Sequence, residues 1–255
     1  MRVRFLLAYV GTHYHGWQRQ KPGLATIQGI LEETLETLCG TSVTVTGAGR
    51  TDAGVHALGQ TAHADLPSTS RITDWRRSAN ALLPRDIRVL QAEQCPETFH
   101  ARFDAREKTY LYRFWTEEGF LPPQYAPQVW DCGSLDLAAM QEALTYIVGQ
   151  HDFSSFQNTG TDLKSTVRTV FSATLTPSPP HPFLPPHAPE LVLRITADGF
   201  LKQMVRNIAG LLRCVGKKQI KPEAVRAILS LAVRTSNPSP TAPPSGLTLA
   251  AIRYA

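Results

Sequence analysis

Cysteine is scarce and scattered. Cys39, Cys95, Cys132 and Cys214 are the only four, and no two form a C-x-x-C pair. That pattern argues against a zinc ribbon or a dithiol redox centre and suits a reducing, cytoplasmic setting. No run of ~18 successive apolar residues occurs, so no membrane-spanning helix is expected. Met1-Arg2-Val3-Arg4-Phe5 leads directly into a strand-like segment, without the basic, apolar and small-residue blocks of a secretory signal, so export is not expected either. Phosphate-cradling glycine fingerprints also fail. Gly47-Ala48-Gly49 begins like a dinucleotide turn, but Asp52 stands where a third glycine is needed, and its charge would repel a pyrophosphate. Gly216-Lys217 lacks the Ser or Thr of a phosphate-binding loop, and His13-x-His15 has no nearby Cys or acidic partner to complete a metal set. The expectation is a chain needing neither cofactor nor metal.

What is present is a 255-residue chain with 42% hydrophobic content, enough for one large core or two modest ones. Lys and Arg number 26 against 21 Asp and Glu, a net charge of +5 that makes a polyanionic partner plausible. Periodicity divides the chain into two halves, 1–104 and 105–255. In the first, Phe5–Val10 reads as a strand, and a helix follows with Thr26 as N-cap, an apolar stripe from Ile27 to Leu38, and Gly40 as the stop. Val43 and Val45 open a second strand, Gln60–Leu66 resumes the sheet, Thr73 caps a short helix ended by Pro84, and Ile87–Leu90 is a further strand. The order is β-α-β-β-α-β.

The second half opens with a strand over 106–115 whose one face carries Tyr110, Tyr112 and Phe114. Helical periodicity runs over 136–148 and 200–215, and strands are expected over 167–175, 191–195 and 247–254. Pro177 to Pro189 form a proline-punctuated loop.

Chemistry concentrates at Gly47-Ala48-Gly49-Arg50-Thr51-Asp52-Ala53-Gly54-Val55-His56, a segment too glycine-rich for a regular element. An Asp in a turn is often structural, because its carboxylate caps neighbouring amides. Arg50 just before it, His56 just after it and the surrounding glycines favour a functional carboxylate here. In the second half, Lys202, Arg206 and Arg213 fall on one side of the expected 200–215 helix. That pattern fits either a solvated surface or a cationic wall facing phosphate or a carboxylate.

Several blocks together resemble the bacterial tRNA pseudouridine synthase A family. They are Tyr14-His15-Gly16-Trp17-Gln18, Gly47 through Gln60, Asn80-Ala81-Leu82-Leu83-Pro84, Phe99-His100-Ala101-Arg102-Phe103, Lys108-Thr109-Tyr110, His151-Asp152-Phe153 and Met204-Val205-Arg206, in family order. The resemblance implies an α/β (α+β) fold of two related halves, each an antiparallel sheet with helices on one face, around a central basic cleft. It implies a homodimer acting on the anticodon arm of tRNA and converting uridine to pseudouridine at positions 38 to 40. By the same resemblance Asp52 matches the catalytic carboxylate, Tyr110 the base-stacking residue and Arg206 the ion-pair partner of the Asp. Arg50 and Leu247 match cleft positions, while His56, Lys202 and Arg213 are further expected substrate contacts. Val10 departs from the family pattern, where many relatives carry Asp. Two alternatives stand beside this reading. One is a catalytically silent tRNA-binding module of the same fold; the other is a metal-dependent phosphohydrolase, disfavoured by the missing ligand spacing.

Overall fold

The computed structural model describes residues 1–69, 72–158, 165–178 and 190–255. Residues 179–189, most of the expected proline-punctuated loop, lie outside them. The fold is α+β, and the chain forms two compact units, Met1–Arg106 with Thr248–Ala255, and Glu107–Leu247. Residues 248–255, grouped with the second half when the sequence is cut after 104, cluster with the first unit. Among the described residues no helix is long and apolar enough to cross a membrane.

In the first unit the elements are β1 (Arg2–Tyr9), α1 (Ile27–Cys39), β2 (Val45–Gly47), β3 (His56–Asp65), α2 (Trp75–Leu82) and β4 (Ile87–Gln94), joined by β10 (Leu247–Tyr254). The strand order is β4-β1-β3-β10, with β2 also on β3. β1 alternates half-buried and buried residues, placing Val3, Phe5, Leu7 and Tyr9 on its inner side, the period-two signature of a strand with one face in a core. α1 begins where Thr26 Oγ1 accepts the Gly29 N–H at 3.2 Å and ends where Gly40 turns left-handed at φ 69°, a conformation glycine adopts without Cβ strain. α2 is capped one residue later than expected. Asp74, not Thr73, accepts the Arg77 N–H at 2.9 Å, and Leu83 is extended ahead of Pro84, as the proline ring requires.

The second unit holds β5 (Ala105–Trp115), β6 (Trp130–Asp131), α3 (Leu137–Thr145), β7 (Gly149–Asp152), β8 (Val167–Pro177), β9 (Glu190–Ala197), α4 (Met204–Gly216) and α5 (Ala224–Leu231). Its order is β5-β9-β8-β7, with β6 beside β5. The sheets are mixed, not purely antiparallel, because β10 runs parallel to β3 and β6 parallel to β5. Tyr112 and Phe114 are fully buried, and Tyr110 is 9% exposed, so the aromatic face of β5 is a core face. α4 starts four residues later than its apolar pattern suggests: Gln203 sits at φ 60° and the Met204 N–H closes a turn on Leu201 O at 3.0 Å. A left-handed residue cannot continue an α-helix, so Lys202 lies on the preceding turn and not on the helix with Arg206 and Arg213. Gly210 admits no side chain, since a Cβ there would stand 1.9 Å from Pro240 O.

His63 ties β3 to the segment that leaves β4. It is buried, and its Nδ1 accepts the Ala101 N–H at 3.1 Å. Burial holds its pKa below 6.5, reinforced by the positive charges of Arg2 and His100 against the opposing pull of Asp65 and Asp104. A depressed pKa means the folded state favours neutral imidazole. Its stability contribution is complete above 6.5 and is lost as pH falls through the folded value. Urea unfolding at about pH 7.5 and about pH 5.5 should show a lower midpoint at the acidic pH, and His63→Gln should shrink that difference. An equal pH dependence in the variant would contradict this account.

Candidate active site

Asp52 is carried on the loop between β2 and β3, and the loop is pinned at almost every residue. The Ala48 N–H donates to Thr61 O at 2.8 Å, and the fully buried Gln60 donates from Nε2 to Gly49 O at 2.8 Å. Thr51 is held twice: its carbonyl accepts the Trp17 N–H at 3.0 Å, and its hydroxyl pairs with the Tyr9 hydroxyl at 2.8 Å. Burial pushes the Tyr9 pKa up to about 12, which keeps that phenol protonated and able to donate. Beyond Asp52, the Val55 N–H donates to Asp52 O at 3.2 Å and the Gly54 N–H to Tyr14 O at 3.3 Å. Asp52 itself is half-buried.

The segment 11–18 does this clamping, and glycine makes it possible. A Cβ on Gly16, at φ 91°, would lie 2.6 Å from Thr51 O, and one on Gly11 would lie 2.0 Å from Val55 O. Backbone meets backbone at both points, so any side chain would force the two loops apart. His56 belongs to the same clamp. It is 5% exposed, and its Nδ1 accepts the Gly11 N–H at 3.1 Å, so this face of its ring braces the clamp. His13 and His15 of the same segment are exposed.

Arg50 is exposed and donates from Nε to Gln18 Oε1 at 3.1 Å. Behind Gln18 runs a polar chain into α1 that the apolar stripe did not foretell. Gln18 donates from Nε2 to Gln28 Oε1 at 2.7 Å, and that oxygen also accepts the Arg19 N–H at 2.8 Å. Gln28 in turn donates to Glu32 Oε1 and to Val45 O, both at 3.0 Å, and Glu32 Oε1 accepts the Val45 N–H at 3.0 Å. Glu32 is 2% exposed. Its second oxygen makes no hydrogen bond of good geometry but lies 3.0 Å from Arg19 Nη1. A buried carboxylate is tolerated only with such partners. The sequence signal was present as two polar residues at i and i+4 on the apolar side of α1.

The remaining expected site residues belong to the second unit. Tyr110 on β5 meets the Phe200 ring edge-on at 5.2 Å between centroids. Arg206, half-buried in the first turn of α4, donates from Nε to Ala242 O at 2.7 Å, and its own carbonyl accepts the Ala242 N–H at 3.2 Å. The segment bearing Ala242 is fixed by Asn207, which accepts the Thr241 hydroxyl at 2.7 Å and donates to Phe156 O at 2.7 Å. Leu247 is 6% exposed and follows the turn Pro244–Gly246. Lys202 is exposed. Arg213 is turned to packing: its guanidinium lies over Trp130 at 5.2 Å and beside Cys132, whose pKa burial raises to about 12 against the opposing charge of Arg213. Among the described residues no three His, Cys, Asp or Glu side chains gather as a metal set would.

Replacing Gln28 with Leu removes the middle of the chain that reaches Arg50 and strips Glu32 of a donor. The expected cost is ~2–4 kcal/mol of stability, dominated by polar groups left buried and unpaired. Gln18→Leu, at the half-buried end, should cost under ~1 kcal/mol. Denaturant unfolding of both variants measures the difference, and equal losses would contradict the description.

Comparison with known proteins bears directly on this arrangement. A family model described as tRNA pseudouridine synthase matches residues 6–104 and 143–255, which include the clamped loop and α4. The chain is 49% identical over 257 residues to tRNA pseudouridine synthase A of Lawsonia intracellularis, covering 99% of both chains. It is 47% identical to the protein of the same name from Oleidesulfovibrio alaskensis, covering 99% of this chain and 96% of that one. To the Maridesulfovibrio salexigens protein it is 45% identical, over 99% of this chain and 90% of the relative. With the loop around Asp52 inside the matched region and the likeness running end to end, the chain belongs to the tRNA pseudouridine synthase family.

Proposed function

We propose that the protein isomerises uridine to pseudouridine in the anticodon arm of tRNA, at positions 38 to 40, with Asp52 as the essential carboxylate. Family membership supports tRNA uridine as the substrate. The observation that carries the residue assignment is the frame around Asp52: Thr51 is held at its carbonyl by Trp17 and at its hydroxyl by Tyr9, Gly54 is held by Tyr14, and the Asp52 carbonyl accepts the Val55 N–H. A carboxylate held on such a frame meets a substrate without first having to be ordered.

The reaction breaks the bond between C1′ and the base nitrogen, turns the uracil while it stays bound, and joins its C5 to C1′. The C5 proton is lost and the former glycosyl nitrogen gains one, so atoms and electrons balance without redox chemistry. C1′ becomes electron-poor as the first bond breaks. Asp52 stabilises that centre, attacks it, or removes a proton from C2′. A carboxylate in a desolvated site needs a cation to stay ionised, and Arg206 is assigned that part, its guanidinium oriented by the Nε bond to Ala242 O. Tyr110 is assigned to stack on the detached base, an interaction worth ~1–3 kcal/mol. Arg50, Lys202 and Leu247 are the assigned substrate contacts, and the target base must leave its stack at a cost of a few kcal/mol, as other base-modifying enzymes require. His56 is assigned as a further substrate contact beside the clamp that its Nδ1 braces. A homodimer and a cytoplasmic setting complete the proposal.

Asp52→Asn should reduce pseudouridine formation by roughly a thousandfold or more while leaving tRNA affinity within a few fold. Chemical mapping of pseudouridine in transcripts treated with each protein reads both site and yield. Undiminished product from the variant would overturn the assignment of Asp52, and product at other positions would overturn the choice of anticodon arm.

A further inference from the structure

The block Phe99-His100-Ala101-Arg102-Phe103 is used neither by the clamp nor by the proposed chemistry. Phe103 is 72% exposed, the highest value among the described large apolar side chains, so its ring adds little to the core. Yet the ring is held with care. His100 stacks on it at 4.2 Å between centroids and 28° between planes, and the Arg102 guanidinium lies 5.8 Å from its centre.

His100 is itself fixed. Its Nδ1 accepts the N–H groups of Arg102 and Phe103, each at 3.2 Å, and its own N–H donates to Asp104 Oδ2 at 2.8 Å. The loop is fastened to β3 through His63 and the Ala101 N–H at 3.1 Å. A flat apolar ring that is exposed, rigid and flanked by a cation has the makings of a nucleobase platform: stacking needs a planar face, and a guanidinium adds attraction for the base and for phosphate. Arg102 is exposed beside it, which matches a polyanion.

We infer that Phe103, braced by His100 and Arg102, is a stacking site for an unpaired base of the tRNA, separate from the Asp52 loop. His63 lies seven residues along β3 from His56, at the start of that strand, so the point where the platform's loop is fastened to β3 is roughly 24 Å along the strand from the clamp at ~3.4 Å per residue. That is a span of about seven stacked nucleotides at ~3.4 Å each. The site is a second point of contact on the same RNA, and it makes affinity depend on nucleotides away from the target uridine. The inference rests on tRNA being the substrate.

The test is equilibrium binding of an unmodified tRNA transcript to the full chain carrying Asp52→Asn, so that substrate is not consumed. Adding Phe103→Ala should raise Kd about tenfold, and Phe103→Leu should do nearly the same, because bulk without a flat face does not stack. Phe103→Tyr should stay within twofold. A Kd for Phe103→Ala within twofold of the control overturns the platform, as does a Leu variant that binds like the Phe protein. A change in molecular mass of Phe103→Ala by light scattering overturns it in favour of a protein contact. Failure of the control itself to bind tRNA overturns the substrate reading with it, whereas a binding control with an unaffected Phe103→Ala removes the platform alone.

Discussion

The loop bearing Asp52 depends on one close approach, between the backbone of Gly16 and Trp17 and the carbonyl of Thr51. A hydrogen bond from Trp17 fixes the carbonyl, and the absence of a side chain at Gly16 lets the two strands of loop touch. Around that point the Tyr9 hydroxyl, the Gln60 amide and the His56 ring add directional bonds from three sides. Each is buried, where a hydrogen bond is expensive to leave unmade. The loop is thus rigid because its alternatives all leave polar groups without partners.

The same logic reaches outward from Arg50. Gln18, Gln28 and Glu32 form a relay from an exposed guanidinium to a buried carboxylate on α1. Glu32 also ties α1 to β2 through the Val45 N–H. The helix packs on apolar contacts but is registered against the loop by polar ones. Hydrophobic burial is non-directional, so it supplies stability, while the relay supplies position.

Much of this was legible in the sequence because it is local. Thr26 and Gly40 announced the ends of α1, an apolar stretch announced β1, alternating residues announced β5, and the glycines around Asp52 announced a loop of chemical interest. What escaped was set by neighbours distant in the chain. α4 began late because Gln203 takes a left-handed turn, which no periodicity encodes. Arg213 looked like part of a cationic wall, but Trp130 and Cys132 draw its guanidinium into packing. Gln28 and Glu32 gain their partners only from β2 and the 11–18 segment. The parallel pairing of β10 with β3 had no local sign at all.

That last pairing has a consequence for the way the molecule is made. Thr248 and Leu249 register against His56 and Ala57, so the strand leaving the Asp52 loop gains one neighbour only from the far end of the polypeptide. During synthesis β3 emerges early but waits for nearly two hundred further residues, on the order of ten to forty seconds at ribosomal speed. The edge of β3 beside the Asp52 loop is therefore bare until Leu247–Tyr254 has been made and docks.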